Sequence, residues 1–205
     1  MKPIHKIKPE RSANGRNLEY GNPNTKKQLA RDFHCCCGYC GDAHHYTGGI
    51  KSFHVDHFAP KSKFPDNCNQ YGNLVYSCPY CNNAKSNKWV GKTMEQSVVN
   101  DVGFVDPCSM EYSKHLERNN DGSITYKTSV GKYMYIELKL YLERHKLLHQ
   151  LQELKDKINL IKQKIEDNIE KNKSVKRLQE MNAILCEAYF YYFNEYCKDL
   201  DSVLW

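Results

Sequence analysis

The sequence predicts an α+β fold: a small zinc-stapled core of two short strands and a helix, a basic amino-terminal arm, a small β element, and a carboxy-terminal antiparallel helical hairpin. Three observations predict it. Two Cys-x-x-Cys pairs, Cys37/Cys40 and Cys78/Cys81, bracket a short alternating run from Phe53 to Phe58. Leu147, Leu151, Leu154, Ile158, Ile161 and Ile165 recur in steps of four and three, as in a coiled-coil seam. Charge is uneven: residues 1–33 hold eight Lys or Arg against three acids, whereas residues 131–205 hold thirteen against twelve, within a net charge of +6.

Residues 1–33 form the arm, in which Pro3, Pro9, Gly15, Gly21 and Pro23 interrupt any period. They read as an extended segment that drapes over the domain or over nucleic acid, ending in a short helix from Asn24 to Asp32 with Thr25 as its cap. The core spans residues 34–92. Cys37-Gly38-Tyr39-Cys40-Gly41 is a turn whose glycines supply the backbone angles of a metal knuckle. Phe53–Phe58 is the first strand, 61–72 a polar loop, Leu74-Val75-Tyr76 the second strand, and Pro79–Trp89 a helix with Asn82 and Lys85 on one face.

Residues 93–130 make the connecting β element, with Asn120-Asp121-Gly122-Ser123 as a turn before Ile124-Thr125-Tyr126. From Lys132 to Lys171 the pattern is helical, within a hairpin that occupies residues 131–205. Asn172-Lys173-Ser174 breaks it, and Ser174 is placed to cap a second helix that runs to about Asp199. That helix carries Leu178, Leu185, Tyr189, Tyr192 and Tyr196 on one stripe, which packs against the first seam.

Paired cysteines at this spacing present four thiolates to one tetrahedral ion, the pattern of a structural zinc site. An iron–sulfur cluster wants other spacings, and a redox disulfide needs only one pair. The remaining cysteines, Cys35, Cys36, Cys68, Cys108, Cys186 and Cys197, are scattered and read as free thiols. His5, His34, His44, His45, His115, His145 and His149 lack a supporting pattern and read as structural or surface residues. With no long apolar run, and no apolar core behind the amino-terminal basic residues, a cytoplasmic protein is expected.

Between the cysteine pairs, and directly after the second, stand groups that a structural zinc site does not need: Asp56, His57 and Asn73, then Asn82. The run His54-Val55-Asp56-His57-Phe58-Ala59-Pro60-Lys61, then Asn73-Leu74, then Cys78-Pro79-Tyr80-Cys81-Asn82 with Lys85 beyond, resembles the HNH nucleases and their ββα-metal fold. The last motif position is Asn82, a variant of the family's lettering. Asp106-Pro107, His115-Leu116 and the glycine turn after the core resemble stand-alone members of the family, a weaker likeness.

The resemblance implies that His57 is the general base, that Asp56 and Asn82 hold one divalent ion, and that Asn73 braces the loop that aims His57. Oxygen ligands favour Mg2+ or Mn2+ there. Lys85 is expected to steady the phosphate, and His54, on the strand face of Asp56, to approach metal or phosphate. The leading reading is a metal-dependent endonuclease acting on DNA, double-stranded by preference. The alternative is a catalytically silent, zinc-stabilised module that binds nucleic acid. Small members with such extensions resemble nucleases of restriction and anti-phage systems, including Septu-type pairs with an ATPase, which implies a protein partner docking on the hairpin. Target sequence and oligomeric state have no signature in the chain.

Overall fold

The computed structural model describes residues 2–171 and 173–202, in two compact units that divide after Leu142. The first unit contains α1 (Pro23–Asp32), β1 (His54–His57), β2 (Leu74–Ser77), α2 (Pro79–Lys85), β3 (Val98–Val99), β4 (Val102–Gly103), α3 (Tyr112–His115), β5 (Leu116–Arg118), β6 (Ile124–Tyr126) and α4 (Ser129–Glu137). The second contains α5 (Glu143–Glu170) and α6 (Lys176–Ser202). Class and helical pair are as the sequence predicts. Among the described residues, no helix is long and apolar enough to cross a membrane.

Each sheet is a two-stranded antiparallel ribbon, and β1–β2 positions the chemistry. Its register pairs Asp56 with Val75 and His57 with Leu74. Ribbons of this size are not stable alone. The second strand of this one is buried on both faces, since Leu74, Val75 and Tyr76 have no exposed surface and join the core that holds Leu29 and Phe33 of the α1 region and Phe53. Helix α2 begins where Pro79 pre-sets the helical φ at its first position, and Cys78 caps it by accepting from the Cys81 amide at 3.4 Å.

The amino-terminal segment drapes over the domain. Lys2 exchanges backbone hydrogen bonds with Arg118 on β5, Ile4 is in the core, and His5 Nε2 bonds the Gly38 carbonyl at 2.8 Å. Arg11 donates to the Leu74 carbonyl at 2.7 Å and to Asp106 at 2.8 Å, so its charge serves the fold.

Several local expectations need correction, among them the helix expected over Pro79–Trp89, which stops at Lys85. The cap of α1 is Asn22, whose side chain accepts from the Asn24 amide; Thr25 is buried in the first turn and donates to the Glu19 carbonyl. In the knuckle only Gly41 has a left-handed φ (+77°). Gly38 is required for space, since a Cβ there would lie 2.7 Å from both Phe33 and Val75. The continuous helix expected from Lys132 is two helices: α4 ends at Glu137 with Leu138 as its C-cap, Lys139 turns left-handed (φ +55°), and the Leu140 amide bonds back to the Tyr135 carbonyl, a Schellman-type stop made with lysine.

In the second unit Glu143 and Leu147 of α5 lie beside Tyr192 and Lys198 of α6, so the helices run antiparallel. Leu147, Leu151, Leu154 and Ile161 are buried in the seam, with Ile158 and Ile165 half-buried, and Tyr196 is buried opposite. Helix α6 starts at Lys176, two residues after Ser174; Asn172 lies outside the described residues. Met181, Ile184, Phe190 and Tyr191 are exposed, so the aromatic run of α6 exceeds what one seam can cover.

Candidate active site

Cys37, Cys40, Cys78 and Cys81 converge. All four are buried, and their sulfurs lie within 4.8 Å of one another. The Cys40 and Cys78 sulfurs are 3.8 Å apart. A tetrahedron of thiolates about 2.3 Å from a zinc ion has an edge of about 3.8 Å, so the donor set fits that ion. The backbone is already folded for it: the Gly41 amide donates to the Cys37 carbonyl at 2.9 Å, and the Cys37 amide to the Asp42 carbonyl at 2.9 Å. Arg118, fully buried behind the knuckle, donates to the Cys40 carbonyl at 2.5 Å and to the Gly122 carbonyl at 2.7 Å, tying the cluster to the β5–β6 turn.

On β1, next to this cluster, His57 bonds through Nε2 to the Cys68 carbonyl at 2.9 Å. A carbonyl oxygen only accepts, so Nε2 carries the hydrogen and Nδ1 keeps its lone pair. Burial lowers the imidazole's pKa from its usual value, against the opposing influence of the Cys68 bond and the Asp56 charge. The ring is therefore neutral at pH 7, with one nitrogen free to take a proton.

Asp56 is buried beside it. Its Oδ2 accepts from the Tyr39 hydroxyl at 2.5 Å and lies 3.3 Å from the Lys85 ammonium, while Oδ1 has no donor among the described residues. Burial raises the carboxyl's pKa, and Lys85 and Tyr39 pull against that rise. Asn82 stands on α2 one helical step before Lys85, half-buried, with no side-chain hydrogen bond. Asn73 is fully buried and grips Ala59 with both amide atoms, accepting from its N–H at 2.8 Å and donating to its carbonyl at 3.0 Å. That grip fixes the chain two residues past His57.

Residues 37–88 match the family model described as HNH endonuclease. The HNH region thus begins at the first paired cysteine and runs just past α2. No curated protein and no solved structure matches the chain.

One residue expected to meet substrate is placed otherwise. Lys85 is fully buried, and its ammonium is held by Asp56 and by the His57 carbonyl at 2.8 Å, so it has no surface to offer a phosphate. His54 opens β1 opposite Ser77 and is exposed, on the strand face of Asp56 where it was expected.

Three partners of the HNH region escaped sequence reasoning. The Cys68 carbonyl is main chain and leaves no residue-type signature. Tyr39 sits inside Cys-x-x-Cys, where any residue is allowed. Tyr20 comes from the amino-terminal segment: its ring lies 4.4 Å from the His57 ring, tilted by 49°, and Lys61 places its ammonium 4.6 Å from the centre of the Tyr20 ring. With Tyr20 over it, His57 is only 6% exposed.

Proposed function

We propose that this protein is a metal-dependent HNH endonuclease that hydrolyses phosphodiester bonds in DNA, with zinc in the cysteine cluster and Mg2+ or Mn2+ held by Asp56 and Asn82. One observation carries the reading: a neutral histidine with a free Nδ1 stands next to a carboxylate with a free Oδ1, within the HNH-matched segment. His57 Nδ1 takes the proton from an attacking water, and the Cys68 carbonyl holds the opposite N–H so that the imidazolium formed keeps its orientation. Asp56 Oδ1 and the Asn82 amide oxygen are hard donors suited to a small divalent ion. Such an ion supplies charge stabilisation to the phosphorane and to the departing 3′ oxygen. Asn73 keeps the Ala59 backbone, and with it the end of β1, in place.

Exposed Arg16, Lys27 and Arg31 supply phosphate contacts outside the site. The exposed apolar side chains of α6 support that helix as the face for a protein partner. The burial of His57 beneath Tyr20 favours the second reading, a silent zinc module that binds nucleic acid.

Incubation of purified protein with supercoiled plasmid, single-stranded DNA and RNA, with Mg2+, Mn2+ or EDTA, separates the two. The nuclease reading expects plasmid cleavage that EDTA stops and His57→Ala removes. Binding of DNA without cleavage under any metal would decide for the module.

A further inference from the structure

Tyr39 lies between two cysteines of the cluster with no exposed surface, and its hydroxyl reaches 2.5 Å to Asp56 Oδ2. Phenylalanine would fill the same volume. Burying a hydroxyl, a carboxylate and an ammonium together is costly relative to apolar side chains of the same shape, so packing alone does not account for the trio. What the trio does is geometric: Tyr39 and Lys85 both converge on Oδ2, which leaves Oδ1 as the carboxylate's open donor.

The backbone that carries Tyr39 is pinned by the knuckle. The Gly38 amide donates to the Tyr76 carbonyl at 2.8 Å, the Gly41 amide to Cys37, and the Tyr112 hydroxyl to the Tyr39 carbonyl at 2.6 Å. Once the four cysteines close, the position of the phenol oxygen is set, and with it the position of Asp56.

We infer that Tyr39 is a positioning residue that couples the cysteine cluster to the second cation site, clamping Asp56 Oδ2 so that Oδ1 faces the cation. The inference rests on the reading of Asp56 as a cation ligand. Groups that hydrogen-bond a ligating carboxylate typically contribute roughly 10–100-fold to metal affinity. Because the link is a binding free energy it is reciprocal, and closing the knuckle strengthens the hold on the second ion.

Mn2+ titration of the zinc-loaded full-length protein, followed by the electron paramagnetic resonance of free Mn2+, tests this in four forms: wild type, Tyr39→Phe, Tyr112→Phe and Asp56→Ala. Tyr39→Phe is expected to keep its zinc, to bind Mn2+ about 10–100-fold more weakly, and to regain cleavage as Mn2+ is raised. Tyr112→Phe, which loses one bond to the Tyr39 backbone and none to Asp56, is expected to lose less Mn2+ affinity than Tyr39→Phe. An unchanged Mn2+ affinity in Tyr39→Phe overturns the inference. Equal losses in the two tyrosine variants, or loss of zinc from Tyr39→Phe, overturn it as well, since the phenol would then be serving the fold. Equal Mn2+ binding by wild type and Asp56→Ala overturns the proposed cation site and the inference with it.

Discussion

The cysteine cluster and the proposed Asp56–Asn82 site both draw on α2, yet they differ in how their donors are finished. In the cluster four sulfurs face one another inside the core, and the Cys37, Gly38 and Gly41 amides around them are bonded to carbonyls. At the proposed second site, among the described residues, Asp56 keeps Oδ1 open, His57 keeps Nδ1 open, and the Asn82 side chain makes no hydrogen bond. Closed coordination suits a staple, and open coordination leaves room for a reacting group. The contrast teaches that support and chemistry can be told apart by which lone pairs the protein leaves unfilled.

The largest expected effect falls on the closed side. Cys78→Ser removes both a cluster ligand and the thiol that caps α2. Structural zinc contributes ~10 kcal/mol or more of apparent folding energy in small domains, so the variant should lose its cooperative melt and its zinc. A normal melt with zinc retained would erase the distinction between the two sites.

On the open side the first effect is kinetic. His57→Ala should lower turnover by about 10²–10⁴-fold while leaving Mn2+ and DNA binding in place, since the base acts only in the reaction. The lowered pKa of His57 also sets a pH signature: the neutral, active form persists to lower pH than for an ordinary histidine, so the rate should stay flat through neutrality and fall only below about 6.5. A decline beginning above pH 7 would point to another base.

Asn82→Ala should weaken the divalent ion itself, and higher Mg2+ or a change to Mn2+ should restore part of its rate, as it should not for His57→Ala. Titration of metal against cleavage rate in both variants checks this, and identical responses would merge their roles. Smallest is Tyr20→Ala. Removing the ring that covers His57 should speed diethyl pyrocarbonate modification of that histidine several-fold, roughly as expected when one exposed aromatic contact is lost. Mass spectrometry of the modified peptide reads the change.

The two sites were unequally legible in the sequence. Cysteine spacing identified the staple because a tetrahedral ion constrains ligand type and interval together, and Cys37, Cys40, Cys78 and Cys81 do meet. Asp56 and His57 were legible as a pair on a strand, and Asn73 as a brace through family likeness. What their side chains touch was not. Helical periodicity placed Lys85 on the stripe of Asn82 but could not show that the stripe's edge turns inward, and lysine is ordinarily a surface residue. The end of α4 was hidden for a similar reason: Lys139 takes the left-handed position where glycine is the usual signal. The basic character of residues 1–33 pointed to phosphate, yet Arg11 is bonded within the fold.

The pairing of Lys2 with Arg118 has a consequence for synthesis on the ribosome. The cysteines can gather once Cys81 has emerged, because all four then lie outside the exit tunnel. The strap cannot seat until β5 follows, more than a hundred residues after Lys2. Contacts between such distant positions form late, since the loop between them must close before they contribute. Tyr20 belongs to the stretch between that strap and α1, so the nascent chain passes through an interval in which a gathered cysteine cluster exists with the amino-terminal strap still unfastened.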